Sequence, residues 1–124
     1  MRFLKILTFI FLSNFLIADY PKRILFVGNS YLYYNDSVHN HVERMLIEYY
    51  GDEDIITKSS TIGGSRLHNH NIDHLLDYNN LQLDEQIDLI IMQGGSKEVT
   101  TAELRETLTN TAISFSKKAH AKGV

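Results

Sequence analysis

The stretch that most constrains this chain is Ile24-Leu25-Phe26-Val27-Gly28-Asn29-Ser30-Tyr31. A continuous apolar run ends in Gly-Asn-Ser, and a polar, helix-starting segment follows. Continuous rather than alternating apolarity predicts a strand over Arg23–Val27 that is buried on both faces, as in a parallel sheet. Ser30 then sits at the carboxyl end of a buried strand, the edge of an open α/β sheet where ligands bind. Its hydroxyl is a candidate nucleophile. Serine is also common at helix caps and turns, and that reading needs no chemistry.

Two further βα units follow the first. A helix capped by Asp36 or Ser37 is expected to run to about Tyr50, with Val38, Val42, Met45, Leu46 and Tyr49 on one face and Gly51 as its stop. Residues 54–60 read as a second strand carried by Ile55 and Ile56, followed by the loop Thr61-Ile62-Gly63-Gly64-Ser65. A short helix is expected over 72–78, with Ile72, Leu75 and Leu76 inward and Asn79-Asn80 breaking it. Asp88-Leu-Ile-Ile-Met-Gln93 is the third strand, again continuous and apolar, and Gly94-Gly95-Ser96 is its loop. Thr100, with Glu103 as the other half of a capping box, starts a long helix. Its inner stripe is Leu104, Leu108, Thr111, Phe115 and Ala119, and Gly123 ends it.

The bulk properties fit one domain at most: 124 residues, 44% hydrophobic, 22% charged, with no cysteine to build a disulfide framework. A net charge of −3 with scattered basic residues argues against nucleic-acid binding. Residues 1–18 read as a secretory signal peptide. Arg2 and Lys5 give a positive start, Ile6 to Ile17 form a mostly apolar run, and Ala18 offers a small residue before Asp19. The alternative, an uncleaved membrane anchor, needs roughly 20 apolar residues, and the run is well short of that. The expected location is therefore periplasmic or secreted. Residues 19–124 form the domain, with no stable membrane span after cleavage.

The three loops after the strands would open on one edge of the sheet. A serine hydroxyl is a weak nucleophile until a base takes its proton, and its tetrahedral intermediate needs hydrogen-bond donors, often backbone N–H groups. Ser30 offers the attacking atom; the glycine pairs 63–64 and 94–95 offer backbone donors, or are plain turns. Tyr31, Tyr33 and Tyr34 offer a sugar- or acyl-binding wall, or pack against the sheet with their hydroxyls at its wet edge.

These residues resemble the SGNH/GDSL-type hydrolases. Ile-Leu-Phe-Val-Gly-Asn-Ser-Tyr-x-Tyr-Tyr-Asn at 24–35 is similar to the first block of that family, in the branch that writes Gly-Asn-Ser where the wider family writes Gly-Asp-Ser. Gly63-Gly64-Ser65-x-Leu67-x-x-His70 resembles the second block, and Asp88-Leu-Ile-Ile-Met-Gln93-Gly-Gly-Ser96 the third. The resemblance implies an αβα layered parallel sheet of flavodoxin-like type. It implies an exported serine ester hydrolase acting on a small-molecule, glycan or lipid ester, with no cofactor. It makes Ser30 the nucleophile, places Gly64 in the oxyanion hole, and sets Asn29, Tyr31, His70, Gly95 and Ser96 around the substrate.

The chain also departs from the family. The third block's asparagine and aspartate fall on Lys97 and Glu98, which leaves Gln93 as the nearest side-chain amide and a candidate oxyanion donor. The family's C-terminal Asp-x-x-His block has no counterpart after the third strand. The one literal match, Asp36-Ser37-Val38-His39, lies just after the nucleophile and reads as a turn or cap residue with a groove or solvent-facing histidine. These departures, and a helix that returns the chain towards a fourth strand at Val124, suggest the N-terminal portion of a larger domain, truncated after about three βα units. An inactive remnant or exported ligand-binding protein is the alternative. His68, His70 and His74 suggest a metal site, but a zinc site wants three or four convergent ligands and the expectation is none. A flavodoxin-like phosphate or flavin binder is a third class, with few glycines and no tryptophan to support it.

Overall fold

The computed structural model describes residues 19–124. The expected signal segment, 1–18, lies outside the described residues. The chain runs β1 (Arg23–Gly28), α1 (Ser30–Tyr33), α2 (Val38–Tyr50), β2 (Ile56–Thr61), a 3-10 turn (Leu67–Asn69), α3 (Ile72–Leu75), a second 3-10 turn (Tyr78–Leu81), β3 (Leu89–Met92) and α4 (Ala102–His120). The strands form one parallel sheet in the order β2-β1-β3. Arg23 lies beside Ile56 on one side, and Ile24 beside Leu89 on the other. This is an α/β fold with helices on both faces.

β1 is central, and all six of its residues are buried, as its unbroken apolar run requires. Alternate residues feed opposite faces. Leu25 and Val27 join Ile72, Leu75, Leu76, Phe115 and Ala119 beneath α3 and α4. Ile24 and Phe26 join Leu32, with Val42 and Leu46 of α2 packed against them. No described helix is long and apolar enough to cross a membrane.

Several local expectations change. In α2, only Val42 and Leu46 of the expected face reach the core; Val38, Met45 and Tyr49 are exposed. The helix is rotated by polar grips on β2: Thr57 donates its N–H to Glu43 Oε2 (2.6 Å) and its hydroxyl to the His39 carbonyl (3.0 Å). Neither Asp36 nor Ser37 caps α2 through its side chain. Ser37 holds the cap position at φ 62° with no side-chain cap bond, and Asp36 instead accepts from Arg44 (2.9 Å) and Asn40 (3.3 Å).

The second strand begins at Ile56 rather than 54, leaving Ile55 buried just ahead of it. α3 stops at Leu75, and Asn79-Asn80 belong to a 3-10 turn capped by Asp77 rather than to a break. β3 is an edge strand. α4 covers Ile90 and Met92, while Leu89 and Ile91 are exposed, so its apolar run is buried on one face only. α4 is capped by Thr101, which accepts from Leu104 N (3.2 Å). Thr100 instead donates its hydroxyl to Lys97 O (2.8 Å) to close the preceding turn. The stripe ending in Phe115 and Ala119 faces the core, and the helix ends at His120, short of Gly123.

Candidate functional site

β1 delivers Gly28-Asn29-Ser30 to the carboxyl edge of the sheet, and the loops after β2 and β3 meet it there. Asn29 joins the three segments. It is buried, its Oδ1 accepts from Tyr31 N (3.1 Å), and its Nδ2 donates to Ser65 O (3.2 Å) and Gly94 O (3.3 Å). Its side chain is thus a strut between loops. It also caps α1, which sets Ser30 at the first helical position.

Ser30 is half-buried and lines a small cleft of about 110 Å³ with Tyr31, Gly64, Ser65 and Ser96. Within α1, the Tyr31 and Leu32 N–H groups are taken by Asn29. Among the described residues, the N–H groups of Ser30 and Gly64 have no acceptor. Gly64 has φ 69°, a left-handed conformation that a side chain would strain. A larger lobe of about 430 Å³ adjoins it, sharing Gly64 and Ser96 and flanked by Arg66, Gly95 and Lys97.

The loops touch closely. A Cβ on Gly95 would lie 2.9 Å from the Ser65 carbonyl oxygen, so no larger residue fits without moving backbone. Glu98, which the sequence pattern gave no part in the site, locks this contact. It is fully buried, and its Oε2 accepts from Gly95 N and from Leu67 N (3.2 Å). Its other oxygen has no hydrogen bond and lies 4.0 Å from His68 Nδ1. A buried carboxylate is costly unless backbone donors hold it, and the two amides do so here.

His70 is buried beneath the cleft. Its Nε2 donates to Gly28 O (3.0 Å), which also accepts from Ile62 N (3.1 Å) and Ser65 Oγ (3.3 Å). Burial holds the imidazole below its usual pKa, against a smaller upward pull from the Gly28 hydrogen bond. A neutral ring with Nε2 turned to a carbonyl is a latch, not a proton acceptor for Ser30. Gln93 is half-buried, and its Oε1 faces Asn29 N at 3.5 Å. That oxygen also lies 2.7 Å from where a Gly28 Cβ would be, so the side chain covers the end of β1. Gln93 lines neither lobe of the cleft.

The tyrosines do not pack on the sheet. Tyr31, Tyr33 and Tyr34 are 61%, 41% and 65% exposed, and Leu32 between them takes the buried position. Tyr33 and Tyr34 lean on each other at 5.2 Å, with the Tyr33 hydroxyl close over Gly63. They form an aromatic lip beside Ser30. The segment after them, Asn35, Asp36 and Ser37, has three consecutive positive φ angles of 52°, 66° and 62°. It is held by bonds from α2: His41 to Asn35 O (2.7 Å) and Asn40 to Asp36 O (2.8 Å).

The literal Asp36-x-x-His39 pair is not a dyad. Asp36 is committed to Arg44, while His39 lies half-buried against Phe26 (6.4 Å between rings) on the α2 face of the sheet. His74 is exposed beside Asn80. Among the described residues, no three His, Asp or Glu side chains gather as a metal site. A separate cleft of about 350 Å³ at the amino edge is lined by Asp19, Tyr20, Pro21, Asp88 and Leu89, and it has no nucleophile or glycine loop. Set against protein-family models, curated proteins and solved structures, the chain matches none of them.

Proposed function

We propose that the chain carries the nucleophile side of an exported serine ester hydrolase of SGNH/GDSL type, on a flavodoxin-like sheet. One observation carries the reading: Ser30 and Gly64 line a single cleft at the carboxyl rim of the central strand, and among the described residues both N–H groups lack acceptors. Ser30 Oγ attacks the ester carbonyl carbon, and its proton passes to a base. The N–H groups of Ser30 and Gly64 hold the oxyanion that forms. The tetrahedral intermediate collapses to acyl-Ser30, the alcohol leaves with a proton, and water then releases the acid.

Among the described residues, no histidine is placed to serve as that base, since His70 is latched to Gly28 O and His39 lies against Phe26. In the family that the chain resembles, an aspartate-oriented histidine fills that role. The chain by itself therefore turns over short-chain p-nitrophenyl esters at near background rate. A fluorophosphonate probe tests the nucleophile directly. The expected result is a slow adduct located by mass spectrometry on Ser30, accelerated by added imidazole and absent in Ser30→Ala. No adduct on Ser30 under either condition overturns the hydrolase reading. It would favour the second one, a non-catalytic binder on a hydrolase scaffold, in which the latching of His70 to Gly28 O serves structure alone.

A further inference from the structure

We propose that the lobe flanked by Arg66 and Lys97 is an anion subsite, and that the ester presented to Ser30 bears a compact anionic group, carboxylate or phosphate, close to its reacting carbonyl. The proposal rests on the hydrolase reading for the ester, though not for the anion.

Two features of the structure lead there. First, the Ser30 cleft and the larger lobe share Gly64 and Ser96 in their walls, so the two adjoin at the same rim of the sheet. The lobe's volume of about 430 Å³ suits a small-molecule group.

Second, the charges in the lobe are of one sign. Arg66 and Lys97 come from different loops, and among the described residues neither has an acidic partner. Lys22, Arg23, Arg44 and Lys118 do; of the other described cations without one, Lys58, Arg105, Lys117 and Lys122, none lines either cleft at this rim. The nearby acid, Glu98, is one charge against two and does not line the lobe. It is turned inward and held by the Gly95 and Leu67 amides. On a chain with more acids than bases, the general field repels anions, so a local cation pair is the feature that would reverse it. The Arg66 guanidinium offers a planar fork for two oxygens, and Lys97, from the other loop lining the lobe, adds a second positive charge.

The test is an amide-resolved NMR titration of the chain with monomethyl succinate, an anionic ester, and dimethyl succinate, its neutral counterpart. The expected result is at least tenfold tighter binding of the anionic ester, with Gly95 and Ser96 amides shifting and inorganic phosphate competing. Arg66→Gln with Lys97→Gln should bring the two affinities within about twofold while leaving the amide spectrum folded; Lys117→Gln with Lys122→Gln, an equal change in net charge on α4 and just after it, should not. Equal affinities in the parent chain, or a preference that survives the Arg66/Lys97 change, overturns the subsite. If the preference is found but Ser30 takes no probe, the anion site stands and the hydrolase reading falls. If Ser30 labels and no preference exists, only the subsite falls.

Discussion

The two edges of the sheet are built from opposite kinds of polar contact. At the amino edge, the charged groups around the start of β1 are engaged with one another. Arg23, 1% exposed, bonds Asp84 through Nε (2.9 Å) and Asp54 through Nη2 (3.1 Å), and pairs with Glu85 (3.2 Å). Asp88 accepts from the N–H groups of Lys22 (2.7 Å) and Arg23 (2.9 Å). Asp52 accepts from Tyr20 (2.6 Å) and pairs with Lys22 (2.8 Å), which holds its carboxyl well below the usual range. At the carboxyl edge, most buried groups are engaged with one another, but among the described residues the N–H groups of Ser30 and Gly64 have no acceptor and the cations Arg66 and Lys97 have no acidic partner. One edge spends its polar groups on holding the strands in register. The other keeps some in reserve, where a ligand can use them.

Four measurements can break or sharpen this contrast. Arg23→Ala should have the largest effect. Deleting a buried cation from its acids typically costs about 3–5 kcal/mol, and the exposure of Asp54, Asp84 and Glu85 points to the lower end, about 3 kcal/mol, read by urea denaturation. Probe reaction at Ser30, per folded molecule, should not change. Parallel loss of both would mean that the edges are not separable.

Asn29→Ala comes next. It removes the strut between loops and leaves two carbonyls without their donor, about 1–3 kcal/mol. Unlike Arg23→Ala, it should also abolish Ser30 labelling in the fraction that remains folded.

Ser37→Gly, in the strained segment below the tyrosine lip, should stabilise by about 0.5–1 kcal/mol because glycine accepts positive φ freely. A loss of stability would show that the Ser37 hydroxyl bond to Tyr33 O (3.3 Å) outweighs the backbone strain.

The smallest effect is a slope. Burial lowers the pKa of both His70 and His39. Between their folded and unfolded pKa values the unfolded chain binds more protons, so stability is complete above about pH 6.5 and falls as pH drops below it. His70→Gln should make that fall shallower between pH 7 and 5. An unchanged slope would place the acid sensitivity of that window with His39, because the lowered carboxyls Asp52 and Asp84 lose their contribution only below their ordinary range.

What the sequence made legible was local. The apolar run of β1, the glycines at the loops and the serine after them are neighbours in the chain, and their physics is short-range. What it hid was long-range. Arg23 sits in what reads as the first residue of an apolar strand, and its partners lie 31 to 62 residues away. A signal existed: acids cluster before β2 (Asp52, Glu53, Asp54) and before β3 (Asp84, Glu85, Asp88), and a parallel sheet brings both clusters to the edge where β1 begins. Glu98 had no such signal, because an acid in a polar turn normally reads as solvent-facing. The orientation of α2 was hidden for another reason. Its apolar positions span more of the helix than the sheet can cover, so hydrogen bonds to Thr57, invisible to periodicity, decide which of them face inward.

The Asn29 strut also explains a choice of letter. Two carbonyl oxygens, from Ser65 and Gly94, converge on its amide nitrogen. An aspartate of the same outline would present an anion to both dipoles and have no proton to offer either. In this molecule the difference between Gly-Asn-Ser and Gly-Asp-Ser is therefore dictated by the acceptors across the gap. A change to the acid would require the facing turns to be rewritten with it.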